Sequence, residues 1–282
     1  MKKLFTLLMA AMLTLSLFSL AACGNNNDSA DERPVIKVGM ECGYQPYNWT
    51  QFTNANNAVA IKGKTGQYAY GFDVMVAQKI ADELDMKLEI YAYEWKSLVP
   101  AVQSGALDFI IAGMSPTADR KQKIDFSEPY YESNLVVVVK KDGAFASATN
   151  LEGLTGAKIV AQSGTFHDKV VEQIPSVTHV TAMEDFPTMI VALNSGSIDG
   201  YIAEEPGAIA DCKANSSFTY IHLANNDTGF TVTDMSNVTL AVGLKKNSEL
   251  LSKVNAALSK LTAAQRQEMM NTAISLAARL GV

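Results

Sequence analysis

The sequence predicts an α/β fold built from two similar lobes. Short β-type runs alternate with helical patterns along most of the chain, the pattern of parallel strands joined by helices. An internal repeat is the second observation: WKSLVPAVQSGALDFIIAG, residues 95–113, lies over FPTMIVALNSGSIDGYIAE, residues 186–204, without a gap. Ala101, Ser104, Gly105, Asp108, Ile111 and Ala112 recur as Ala192, Ser195, Gly196, Asp199, Ile202 and Ala203, and apolar Leu98, Val99 and Val102 recur as Met189, Ile190 and Leu193. Third, Lys37-Val38 and Lys158-Ile159 each open a strand that runs into a glycine-containing loop.

The first residues, Met1, Lys2 and Lys3, precede a largely apolar stretch at 4–20, which reads as an export signal. It ends in Leu20-Ala21-Ala22-Cys23, which resembles the lipobox of bacterial lipoproteins. That resemblance implies a lipoprotein signal peptide at 1–22 and a lipidated Cys23. Two or more acyl chains are then expected, since one chain anchors only marginally. Residues 23–33 are polar, lack periodicity and suit a flexible tether.

Loss of residues 1–22 removes two lysines and takes the formal charge from −6 to 21 − 29 = −8, which argues against nucleic acid as a partner. At 48% hydrophobic residues the chain has ample material for cores. Cys42 and Cys212 are far apart, without C-x-x-C spacing, and are expected to be free thiols. His167, His179 and His222 lie in separate segments, so their spacing gives no basis for a metal site or a histidine triad. No cofactor is expected.

Folding is expected to start near Pro34 with a strand at 36–40. Residues 51–67, rich in Asn, Gly and Lys, predict a surface loop or hairpin. A helix follows from Asp73, with Phe72, Val76, Ile80 and Leu84 as its buried stripe and Asp73 placed to cap the first turn. Next come a strand at 88–91, a helix around Leu98 closed by Ser104-Gly105, and a buried strand at 107–112; the second repeat copy reads the same way. Ligands of open parallel sheets sit beyond the carboxyl ends of the strands, so two facing lobes share one cleft. The segments there, 41–44, 113–120, 162–165 and Glu204, supply a guanidinium, hydroxyls, backbone N–H groups and two carboxylates.

Four motifs in order carry a more specific likeness: Gly71-Phe72-Asp73; G-M-S-P-T-x-x-R from Gly113 to Arg120, followed by D-F-S-x-P-Y-Y from Asp125; Gln162-Ser163-Gly164-Thr165; and Asp199-Gly200-Tyr201-Ile202-Ala203-Glu204. Over residues 35–280 the chain resembles the amino-acid-binding family of periplasmic-type solute-binding proteins, the extracytoplasmic subunits of polar amino acid ABC importers. The resemblance implies two lobes, 34–133 plus 229–282 and 134–228, with crossovers near 132–134 and 227–231. It also implies C-terminal helices at 250–261 and 264–278 packed on the first lobe, and hinge closure over the ligand.

By the same likeness Arg120 grips the ligand α-carboxylate, where a planar guanidinium makes two parallel hydrogen bonds that lysine cannot. Ser115 adds its hydroxyl and N–H, and Thr165 offers an N–H at the start of a helix running toward Ile174. Gly113 C=O and Glu204 hold the α-ammonium; many relatives have aspartate at the latter position. Tyr44 and Trp95 sandwich the ligand side chain, and Glu41 meets its distal end. An acid there favours a basic or amide-bearing ligand, arginine first, with lysine, ornithine, histidine, glutamine and cystine behind it. The expected partners are a free amino acid, a permease with its ATPase, and the membrane through Cys23; the chain is expected to be monomeric. The rivals are an enzyme of the cyclohexadienyl dehydratase type, with Glu41 and Glu204 as an acid–base pair, and a sensor or adhesin.

Overall fold

The computed structural model describes residues 33–280; the export segment, Cys23 and the tether up to residue 32 lie outside the described residues. Strand β1 (Val35–Met40) leads through a hairpin region to α1 (Phe72–Glu83), β2 (Lys87–Ala92), α2 (Trp95–Ser104), β3 (Phe109–Ile110), the short α3 (Ala118–Lys121) and β4 (Asp125–Phe126). The chain then crosses to β5 (Leu135–Lys140), β6 (Lys158–Val160), α4 (Phe166–Val170), β7 (Thr178–His179), α5 (Phe186–Ser195), β8 (Gly200–Glu204), α6 (Glu205–Ala214) and β9 (Phe218–Ile221). It returns as β10 (Gly243–Leu244) and ends in α7 (Leu251–Ser259) and α8 (Ala263–Leu280).

Two five-stranded sheets result, ordered β2-β1-β3-β10-β4 and β7-β6-β8-β5-β9. Each has a parallel trio, β2-β1-β3 in one and β7-β6-β8 in the other, followed by two antiparallel pairings. The pattern of alternating strands and helices predicts only the parallel part. The fourth strand of each sheet, β10 or β5, enters from the other lobe and runs against its neighbours. Between the sheets the two crossing segments meet in a short antiparallel ladder, Tyr131–Glu132 against Thr239–Leu240.

The repeat extends to the hydrogen bonding of its helix ends and strand starts. Helices α2 and α5 both end on a left-handed glycine, Gly105 or Gly196. Ala106 N–H and Ser197 N–H return 3.0 Å to the carbonyls of Ala101 and Ala192. Asp108 then accepts from the N–H of Lys37, and Asp199 from that of Lys158, each at 2.8 Å, while their own N–H groups reach the Lys37 and Lys158 carbonyls at 2.9 Å. Each aspartate thereby locks the first strand of its parallel trio to the start of the third.

Side-chain alternation on β5 fills two cores. Leu135, Val137 and Val139 join Ile159, Ile202 and Ile221 on one face, while Val136 and Val138 join Val160 and Tyr201 in the larger cluster that also contains the first lobe's core. Strands buried on both faces read as continuous apolar runs, which explains LVVVV. Residues 51–67 form part of a small antiparallel sheet in which Asn48–Gln51 and Val59–Ala60 flank Tyr68–Tyr70.

Three local readings change. Asp73 does not cap α1: the N-cap is Gly71, and the N–H groups of Phe72 and Asp73 are taken by the carbonyls of Pro46 and Tyr47. Gly71 has φ +135°, and a Cβ there would run into the Tyr47 carbonyl oxygen, so that close approach requires glycine. The helix after Thr165 stops at Val170 and continues to Gln173 only as a 3-10 turn, so it does not extend to Ile174. Helix α8 packs on α6 as well as on α1, with the small residues Ala208, Ala273 and Ala277 buried in one cluster.

The matched aspartates predict matched energetics. Asp108→Ala and Asp199→Ala each remove a charged acceptor from a strand N–H and are expected to lower unfolding free energy by about 1–3 kcal/mol. Urea denaturation measures both; a cost for one and none for the other would deny the repeat its structural role.

Candidate functional site

Glu41 follows β1 and enters the cleft because the next residue, Cys42, takes a left-handed conformation with φ +58°. Asn48 holds that turn, its Oδ1 accepting from Cys42 N–H at 2.8 Å, and Thr50 Oγ1 donates to the Cys42 carbonyl. Asn48 Nδ2 in turn donates to buried Asp73 at 2.8 Å, which also accepts from Tyr130 O–H at 2.7 Å and from the backbone N–H of Gly113. Burial raises Asp73 to about 6 against those three donors. Gly113 has φ +60°, and a Cβ there would crowd the Tyr44 ring at 3.0 Å.

Glu41, Tyr44, Trp95, Gly113, Ser115, Arg120, Thr165 and Glu204 all line one narrow cleft. Arg120 donates to the carbonyls of Ser115 at 2.8 Å and Gly164 at 3.1 Å, and its guanidinium lies 4.8 Å from the centroid of Trp95. Neither nearby acid neutralises it: Asp119 pairs with Lys169 and Asp125 with Lys246. Burial lowers its pKa to about 10, which leaves it cationic at neutral pH. Thr165 donates from Oγ1 to the Gln162 carbonyl at 2.6 Å and so braces the turn in front of α4.

Glu204, the last residue of β8, is 3% exposed and accepts from the Tyr44 hydroxyl. Burial pushes it up to about 8, offset in part by its backbone hydrogen bond, with the Glu41 charge adding to the rise. Glu41 also rises to about 8, again through burial, eased by the Gln162 amide and aggravated by Asp185 and Asp73. Its Oε1 accepts from Gln162 Nε2 at 2.9 Å, while Oε2 is buried without a partner. The cleft therefore holds one guanidinium and two carboxylates, with no cation paired to either acid.

The sequence reading leaves five lining residues unassigned: Ala112, Gln162, Phe166, His167 and Phe186. Phe186 stacks on Tyr44 at 4.1 Å between centroids and 14° between planes, so the Tyr44 ring faces the second lobe while Trp95 carries Arg120. The repeat itself points to Phe186, which opens its second copy as Trp95 opens the first. Gln162 stands after β6 where Glu41 stands after β1, counted from Lys158 and Lys37. His167 lies two residues past the last motif position and carries no such signal. A wider groove along α8, from Ala264 to Arg279, is open to solvent and lined by exposed side chains apart from half-buried Leu276. Among the described residues no His, Cys, Asp and Glu cluster is arranged for a metal, and no helix is long and apolar enough to cross a membrane.

Comparison with known proteins agrees with this architecture. The arginine-binding extracellular protein ArtP of Bacillus subtilis is 28% identical over 267 residues, covering 93% of each chain. A probable histidine-binding protein of Campylobacter jejuni is 28% identical over 212 residues, 74% of this chain and 76% of that one. A crystal structure of an amino acid ABC transporter substrate-binding protein from Streptococcus pneumoniae, bound to L-arginine, superposes with a TM-score of 0.73 at 29% identity, covering 86% of this chain and 94% of that one. Residues 36–273 match the family model of bacterial extracellular solute-binding proteins, family 3, and the chain belongs to that family.

Proposed function

We propose that this protein is the substrate-binding lipoprotein of an ABC importer and captures a polar amino acid, arginine in preference to others. The observation that carries this reading is the charge set of the cleft. With both acids ionised, Glu41, Glu204 and Arg120 sum to −1, and an amino acid with a basic side chain brings +1. In this reading Arg120, helped by Ser115 and the Thr165 N–H, receives the α-carboxylate. Gly113 C=O and Glu204 receive the α-ammonium, Tyr44 and Trp95 flank the stem, and the free Glu41 Oε2 meets the distal cation. A neutral side chain leaves one acid without a counter-charge, which a buried site disfavours.

The same reading includes anchoring through Cys23, lobes at 34–133 plus 229–282 and 134–228 that close on a hinge, and delivery to a permease as a monomer. A dehydratase-type enzyme is the second reading, because a carboxyl that keeps its proton near neutral pH, as Glu204 does, is poised to act as a general acid. A thermal-shift screen of the twenty amino acids with ornithine, citrulline and cystine tests the first reading. Turnover of prephenate or arogenate tests the second.

Arg120→Ala is expected to leave the fold intact and to lower amino acid affinity by two to four orders of magnitude, since breaking a buried pair costs about 3–5 kcal/mol. Calorimetry showing less than a tenfold loss would remove Arg120 from the site. Glu41→Gln keeps the shape and removes the charge. Affinity for arginine or lysine should fall about tenfold or more, and affinity for glutamine should fall less. Equal affinities across the panel would end the preference for a basic ligand.

The two raised carboxyls also fix a pH dependence. Each keeps its proton in the fold up to about pH 8, whereas in the unfolded chain it titrates near 4.5. As pH rises through that window the unfolded state loses protons first, so ligand-free stability falls; Asp73 and Asp211, raised to about 6 and 7, act in the same sense. A cation paired with these acids lowers their pKa, so binding releases protons and tightens with rising pH, up to about tenfold per pH unit for each carboxyl. Calorimetric affinity for L-arginine that stays flat from pH 5 to 8 would show that no cation meets them.

A further inference from the structure

We propose that His167 is a specificity-determining residue of the cleft, which reads the α-amino group of the bound amino acid; the inference rests on the amino-acid reading above. His167 sits in the first turn of α4, and its side chain is 9% exposed. Both ring nitrogens are buried and neither makes a hydrogen bond. Nε2 lies 3.3 Å from Glu204 Oε1, close enough to pair but not aligned to do so. Most other polar groups of the wall are engaged, Arg120 by two carbonyls, Thr165 by Gln162, Gln162 by Glu41 and Glu204 by Tyr44; Glu41 Oε2, assigned above to the distal end of the ligand, is also without a partner. A buried imidazole without partners is costly, and one that lines a ligand cleft gains them when the ligand arrives.

The ring's charge state narrows which partner it takes. Burial, and then the Arg120 charge, drive its pKa to about 3, so the imidazole is neutral and has one donor and one acceptor. The N–H therefore sits on Nδ1, and Nε2, which faces Glu204, is the acceptor that an ammonium held on Glu204 reaches. Arg120 is already bound to carbonyls and gives it no N–H. On an amino acid whose carboxylate lies on Arg120 and whose ammonium lies on Glu204, the group next to His167 is the ammonium, with three N–H donors. A third acceptor beside Gly113 C=O and Glu204 also accounts for selection: a ligand lacking the α-amino group leaves three buried acceptors unmet instead of two.

The test compares L-arginine with 5-guanidinopentanoic acid, the same molecule without its α-amino group, by calorimetry on wild type, His167→Phe and His167→Asn. If lysine binds more tightly, L-lysine and 6-aminohexanoic acid replace them. In His167→Phe, affinity for the amino acid should fall about tenfold and affinity for the deamino analogue less than twofold. His167→Asn, which restores a short polar acceptor, should recover part of the difference. Equal losses for both ligands, or no loss, would reduce His167 to a packing residue. A second measurement needs no cleft variant: the imidazole 15N shifts of His167, assigned with His179→Gln and His222→Gln, should show Nε2 gaining a hydrogen bond when L-arginine is added. An unchanged Nε2 shift would overturn the proposal. Failure of wild type to bind any amino acid in the thermal screen would instead overturn the underlying reading, and the inference with it.

Discussion

The first lobe's share of the cleft depends on one fully buried carboxylate. Asp73 accepts from the Asn48 amide, the Tyr130 hydroxyl and the Gly113 N–H, and Asn48 passes the constraint on to Cys42 N–H. Helix α1, the loop that carries Glu41 and Tyr44, the exit of β3 at Gly113 and the segment leading into the crossover are tied at a single point. A buried acid costs stability unless it is this well satisfied, and removing one donor leaves the remainder of its charge without compensation. The knot holds Glu41 and Gly113, groups expected at opposite ends of a ligand, in fixed relation before any ligand is present.

The second lobe repeats the frame of the first but not its chemistry. Residues equivalent in the repeat line the cleft as unlike pairs: Glu41 and Gln162, which hydrogen-bond across it, Trp95 and Phe186, and Gly113 and Glu204. An acid is matched by an amide, an indole by a phenyl ring, and a glycine by a carboxyl. An identical partner for Glu41 would have set two acids against each other. Divergence at the strand ends, over a conserved hydrogen-bond frame of Asp108 and Asp199, makes an asymmetric site for an asymmetric ligand.

Much of this was legible because it is local or repeated. The apolar stripe of α1, the glycine ends of α2 and α5 and the buried run of β5 follow from spacing alone. Reading the strand ends as the cleft also located Glu41, Arg120 and Glu204, because the carboxyl ends of parallel strands are set by topology. Asp73 was misread because its position fits an N-cap, and no local pattern shows that the Pro46 and Tyr47 carbonyls have already taken the helix N–H groups. The antiparallel strands escaped for a similar reason: β5 and β10 owe their direction to the crossovers, a long-range property. His167 escaped because one histidine in a helix has no spacing to read.

The inter-lobe contacts bear on the hinge closure proposed above. Two ion pairs span the lobes, Lys96 with Glu184 at 2.6 Å and Asp119 with Lys169 at 2.9 Å. All four side chains are more than half exposed, and such pairs contribute about 0–1 kcal/mol each. They orient the faces more than they hold them. The inner contacts, Tyr44 on Glu204, Gln162 on Glu41 and Arg120 on the Gly164 carbonyl, are shielded from water and therefore stronger per contact. Yet these are the groups an amino acid would engage, so protein and ligand compete for the same donors and acceptors. The contacts made without ligand leave Glu41 Oε2 and the His167 ring without partners and the charges unmatched, with two acids holding protons near neutral pH and a guanidinium hydrogen-bonded only to carbonyls. In the proposed reading the ligand's advantage in closing the cleft is electrostatic: it supplies counter-charges that the second lobe, which brings an amide, a phenyl ring, a neutral imidazole and a carboxyl but no cation, does not.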